Sequence, residues 1–174
     1  MMNADAAAKT IICIDPGMSG AISCRIDGKA HAFNMPDTPK DILLLILSLK
    51  DENAFCWIEQ TGTYMSGESA PAAVTFARHC GHLDMALLAA NIAHDTVLAA
   101  KWQHAVIGKP NHPKIPKETP AKERRQILAK RKAERKNKIK SKMQCLYPDI
   151  KVTLKNADAL GILTWAEIQG KGEF

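Results

Sequence analysis

Two short apolar runs in this sequence each stop on a carboxylate: Ile12-Cys13-Ile14 on Asp15, and residues 54–58 (AFCWI) on Glu59. A run of this kind reads as a strand buried on both faces. Burying a charge at its end costs heavily unless a cation or a hydrogen-bond donor meets it. The chain must therefore fold so that two strand ends lie where something positive can reach them. Directly after Asp15 come Pro16, Gly17, Met18, Ser19 and Gly20, a turn whose glycines are expected to leave room beside the acid for backbone and for a phosphate.

The remaining pattern supplies the elements around those strands. Residues 21–26 alternate, with Ile22, Cys24 and Ile26 on one face and Ser23 and Arg25 on the other, and Asp27-Gly28 is a hairpin turn into residues 29–34. Thr38-Pro39-Lys40-Asp41 reads as a helix start, with a capping hydroxyl, an early Pro and an acid, ahead of the apolar ILLLILSL. A helix over 70–91 carries two neighbouring stripes, Ala73, Phe76, Cys80, Leu83 and Leu87 beside Val74, Ala77, Gly81, Met85 and Leu88, a face wider than one sheet requires. A strand over 95–100, a short helix or turn over 102–107, a strand-like IKVTL at 150–154 and a final helix over 156–168 complete the order. Hairpin, helix, strand, helix, strand, helix implies an α/β domain built on a mixed sheet.

With 174 residues, 46% of them hydrophobic, the chain suits one domain over 10–174, with residues 1–9 read as a disordered tail. No stretch has the ~18 apolar residues of a membrane span and the start lacks a signal peptide's apolar run, so the expected location is cytoplasmic. The five cysteines are scattered and odd in number, which suits reduced, packed thiols. His79, Cys80 and His82 have no second ligand pair nearby and do not read as a zinc site.

Charge is concentrated in one place. Residues 109–142 hold 14 of the 24 Lys and Arg but three of the 18 Asp and Glu, a local balance of +11 against −5 for the remainder. The segment starts Pro-rich (KPNHPKIPKETP) and continues without Gly or Pro as AKERRQILAKRKAERKNKIKSKMQCL, a basic insert with helix-forming composition and too few apolar residues for a core element. So one-sided a run repels itself unless it meets a polyanion, and nucleic acid is the expected partner. Lys101, Arg124, Arg125, Lys130, Arg131, Arg135 and Lys136 are the candidate DNA contacts.

Asp15, Glu59 and Asp158, the last in the first turn of the final helix, make a set of three carboxylates that adjacent strands and a helix packed across their ends would bring together. Oxygen-only ligation suits Mg²⁺ or Mn²⁺, and one or two such ions can serve phosphodiester hydrolysis. Singly, each acid has a plainer use, in a helix dipole, a turn or the surface.

"IDPGMSGAI" at 14–22, "WIEQ" at 57–60 and "NADALGI" at 156–162 together resemble the RuvC-type Holliday junction resolvases, particularly the short bacteriophage versions. The resemblance implies a ribonuclease H-like fold with a mixed five-stranded sheet flanked by helices, a homodimer, and divalent-metal-dependent nicking of four-way DNA junctions, with other branched DNA as possible substrate. It assigns Asp15, Glu59 and Asp158 as metal ligands, and Tyr64 as the aromatic that acts at the junction core. The family pattern also carries a fourth acid shortly before the last Asp. Residues 152–157 contain none; Asn156 offers a carbonyl oxygen, and Asp149 is the nearest upstream carboxylate. Two other classes stay open. A non-catalytic branched-DNA-binding protein accommodates Lys155 and Asn156, and an actin-like ATPase shares the Asp-x-Gly opening but is built from a duplicated pair of domains.

Overall fold

The computed structural model describes residues 10–62 and 69–170. Asp27 and Gly28 both take positive φ, 48° and 74°, as a two-residue hairpin turn between right-twisted strands requires. They join β2 (Ala21–Ile26) to β3 (Lys29–Asn34), and β1 (Ile11–Asp15) pairs antiparallel with β2 on its other side. β4 (Phe55–Gln60) lies parallel to β1, and β5 (Ala93–Leu98) parallel to β4, giving one five-stranded mixed sheet of order β3-β2-β1-β4-β5. The two apolar runs that end on carboxylates are thus central neighbours.

Strand alternation sends successive side chains of β1 and β4 to opposite faces. Ile12, Ile14, Cys56 and Ile58 enter one cluster with Ile42 and Ile46 of α1 (Pro39–Ser48) and Leu83, Ala86 and Leu87 of α2 (Ala70–Ala89). Cys13 and Trp57 face the other cluster, with Trp102 and Val106 of α3 (Ala99–Ile107), Ile139 and Met143 of α4 (Ala121–Leu146), and Leu160, Ile162, Leu163 and Trp165 of α5 (Ala157–Gly170). α1 begins as its sequence predicts, the Thr38 hydroxyl accepting from the Asp41 amide at 3.1 Å. All five cysteines are free, and burial pushes the Cys24 thiol up to about 11 and that of Cys56 higher still.

Two boundaries differ from expectation. β5 ends at Leu98 and α3 starts at Ala99 without a linker, because Ala-Ala-Lys favours helix over strand. Residues 150–154 form no strand. The Val152 amide donates to Gln144 Oε1 at 3.1 Å and the Thr153 amide to Asn156 Oδ1 at 2.7 Å, so side chains, not a neighbouring strand, take up this backbone. On α2 one stripe is buried through Leu83 and Leu87, while Val74, Met85 and Leu88 of the other are 58–62% exposed. Among the described residues no helix is long and apolar enough to cross a membrane.

Candidate active site

The parallel register of β1 and β4 sets Ile14 opposite Ile58. The next residue of each strand, Asp15 and Glu59, therefore leaves the pairing at the same carboxyl end, and both point to the face covered by α3, α4 and α5. α5 lies across that face with Asp158 in its first turn, where the helix N-terminus favours an anion. A bond from Ser23 Oγ on β2 to the Ala159 carbonyl, 2.8 Å, fixes the start of α5 against the sheet.

Glu59 has a dedicated donor. Trp102 on α3, fully buried, gives its indole N–H to Glu59 Oε2 at 2.8 Å. The ring reaches that position because residue 161 is glycine: a Cβ there would meet Trp102 at 2.5 Å. Sequence reading missed both Trp102, the partner of Glu59, and Gly161, which makes room for it. Gly161 stood within a quoted motif, but nothing local shows that it makes room for a ring on another helix.

The three carboxylates act on one another. Burial, then the charges of Asp158 and Glu59, push the Asp15 carboxyl up to about 8, with Lys136 pulling it back. Burial also raises Glu59, against the Trp102 hydrogen bond. It raises Asp158 too, against Lys136 and Arg135.

Those two cations come from the basic helix. α4 has no apolar stripe along its amino-terminal half, but Ile139 and Met143 are fully buried. Lys132, Arg135 and Lys136 lie three to seven residues before Ile139, so anchoring Ile139 turns their side of the helix to the site. Lys136 Nζ is 3.6 Å from Asp158 Oδ2, with the Asp158 side chain only 14% exposed.

The other predicted DNA contacts are not equivalent to this pair. Arg131 donates to the Pro113 carbonyl at 2.8 Å and Arg124 to that of Ile115 at 3.5 Å, so both hold the Pro-rich segment onto α4. Arg125 and Lys130 are exposed on α4. Lys101 on α3 sits 5.3 Å from the centroid of the Trp165 ring. Tyr64 lies outside the described residues.

As they stand, no three His, Cys, Asp or Glu side chains among the described residues converge closely enough to hold a metal ion together. Glu59 and Asp158 each have a partner outside the cluster, Trp102 and Lys136. The chemistry of the donors nevertheless fits a hard divalent cation: three oxygen ligands, largely buried, whose mutual repulsion such an ion relieves. One sequence expectation needs correction. Asn156 does not offer its carbonyl oxygen, because Oδ1 accepts from the Thr153 amide and hydroxyl at 2.7 and 3.2 Å and the residue is buried. Gly20 leaves room beside the acid for backbone, as expected: a Cβ there would strike the carbonyl oxygen of Asp15 itself at 2.1 Å, and the turn is closed by the Gly20 amide on the Gly17 carbonyl at 2.9 Å.

No protein-family model matches this sequence, and no curated protein does. The fold has solved counterparts. The chain is similar to Thermus thermophilus RuvC, with a TM-score of 0.55 and 14% identity over 92% of this chain and 96% of that one. It is similar also to T. thermophilus RuvC in complex with a Holliday junction substrate, with a TM-score of 0.58 and 13% identity over 94% and 95%. The architecture is therefore the ribonuclease H-like α/β fold of RuvC.

Proposed function

We propose that this protein is a divalent-metal-dependent endonuclease that resolves four-way DNA junctions. The observation that carries the reading is the position of Asp15 and Glu59 at the carboxyl ends of adjacent parallel strands, one residue past the Ile14–Ile58 pair, with Asp158 near enough to raise Asp15 and a polybasic helix placing Lys136 against the group. The similarity to RuvC bound to a junction supports the choice of branched DNA.

Asp15, Glu59 and Asp158 would hold Mg²⁺ or Mn²⁺. When bound, the ion supplies activation of the attacking water and neutralisation of the leaving oxygen. The chain's own residues do the positioning. Trp102 fixes one oxygen of Glu59 by its N–H and so orients the other. Lys136 balances the charge of Asp158 and offers a cation to an arriving phosphate. Arg125, Lys130 and Arg135, exposed along α4, give backbone contacts that carry affinity without reading bases. Two symmetric cuts need two sites, and the exposed Val74, Met85 and Leu88 of α2 are the surface through which two copies would pair as a homodimer.

A second reading, binding of branched DNA without cleavage, is favoured by one observation: the three carboxylates do not converge as they stand. Incubation of a synthetic, end-labelled four-way junction with Mg²⁺, and in parallel with EDTA, separates the two. Paired nicks that depend on the metal support the nuclease; tight binding with no nicking under either condition sinks it and leaves the binding protein.

A further inference from the structure

The segment 108–120, with prolines at 110, 113, 116 and 120, forms no helix or strand, since proline cannot donate to either ladder. It is nevertheless tied down. Arg131 and Arg124 of α4 donate to the carbonyls of Pro113 and Ile115, and Lys138 donates to that of Ile107 at 2.8 Å. The strap so held stands off α3 and α4 and encloses a cleft of about 810 Å³. Its walls combine two chemistries. Lys109, Arg131, Lys132, Arg135 and Lys138 bring positive charge against one acid, Glu134. Ile107, Leu128 and Pro110 are apolar, and His104 and His112 add flat rings. The volume lies within the ~300–1,000 Å³ of small-molecule sites, room for a nucleotide or two and far too little for a duplex. Lys132 and Arg135 of the cleft wall share α4 with Lys136, which lies 3.6 Å from Asp158; the carboxylates themselves do not line the cleft.

We propose that this cleft binds a single-stranded DNA segment, phosphates on the α4 cations and unpaired bases against Leu128, Pro110 and the His104 and His112 rings. The inference rests on the DNA-cleavage reading for its purpose: opening a base pair where the strands of a junction exchange would release unpaired nucleotides, and a pocket on the same helix as Lys136 would hold one splayed from the stack. Base stacking on flat side chains is tolerant of sequence, so the cleft selects strandedness, not bases.

The test uses the full-length, metal-free protein and fluorescence anisotropy with a ~12-nucleotide oligothymidylate, a length within the usual single-strand site sizes, against a mixed-sequence duplex of equal length. Ala100→Leu narrows the cleft and Leu128→Ser removes its apolar wall, and neither changes charge. Both residues are exposed, Leu128 at 51%, so the fold is expected to persist; thermal melting checks it. The expected result is single-strand affinity lowered by about fivefold or more in at least one folded variant, with duplex affinity and its salt slope unchanged. Unaltered single-strand binding in both variants overturns the proposal, as does an equal fall for both DNAs. Cleavage is not read here. Junction nicking with no single-strand effect removes the cleft alone, and a single-strand effect without nicking removes the nuclease reading alone.

Discussion

The two faces of the sheet are built from the same strands and do different work. Ile12, Ile14 and Ile58 meet α1 and α2 in a cluster of apolar side chains. One residue along, the opposite face receives Cys13, Trp57, Asp15 and Glu59, and the helices there answer with polar groups: the Trp102 indole, Asp158, Lys136 and the Ser23 bond to α5. Strand parity decides which face carries the chemistry. The α1/α2 face supplies stability and, on the outside of α2, an apolar surface; the α3/α4/α5 face carries the candidate site.

That division can be broken by substitution. The largest effect is expected from Asp15→Asn, Glu59→Gln and Asp158→Asn, each of which should bring junction cleavage to background while binding stays near wild type or tightens, because repulsion of phosphate is eased. Full cleavage by any one variant, measured on a labelled junction, removes that residue from the site. On the other face Leu87→Ala, at a fully buried position, should cost about 2–5 kcal/mol of stability, read by urea unfolding, yet leave cleavage intact where the protein remains folded. A Leu87→Ala protein that is folded but inactive would mean that the faces are not separable.

Smaller effects sharpen the contrast within the site face. Trp102→Phe deletes the N–H to Glu59 and withdraws the outer ring that packs on Gly161; in protein shown to be folded by thermal melting it should lower metal-dependent cleavage by about 10–100-fold, as loss of an outer ligand partner does, with junction affinity unchanged. Replacing Arg125 and Lys130 by Gln should do the reverse: cleavage at saturating protein persists, and the slope of log affinity against log salt flattens by up to about 0.9 per lost phosphate contact. An unchanged slope would make this side of α4 a plain solvated surface.

The last effect concerns pH. The Asp15 carboxyl is raised from 3.8 to about 8, so between those values the folded chain holds a proton that the unfolded chain has lost, and stability falls as pH rises through that window. The melting temperature of metal-free protein should therefore decline from about pH 5 to about pH 8, at ~2–4 °C per kcal/mol. Asp15→Asn should flatten the decline, and Mg²⁺ should oppose it at the upper end. An identical slope in Asp15→Asn would show that other groups set it.

Much of this was legible in the sequence. Periodicity and turn chemistry placed β1 to β4, the Asp27-Gly28 turn and the Thr38 cap, because each is decided by residues within a few positions of itself. The carboxylates Asp15 and Glu59 stood out because a buried run rarely ends on a charge. What was not legible depends on distant partners. Which stripe of α2 faces outward follows from which helix packs beside it. That Trp102 holds Glu59 requires Gly161 on another helix, and that Lys136 differs from Lys130 requires knowing that Ile139 is buried. Residues 150–154 have a strand's composition, but Gln144 and Asn156 take their amides before any strand can.

Titration of Mn²⁺ into wild-type protein and into Asp15→Asn, Glu59→Gln and Asp158→Asn, followed calorimetrically, asks directly whether three carboxylates that do not converge on one point as they stand act as one ligand set. Binding to the wild type, weakened by about tenfold or more in all three variants, is the expected result. Absence of binding to the wild type, or wild-type affinity in any one of the three, would contradict it.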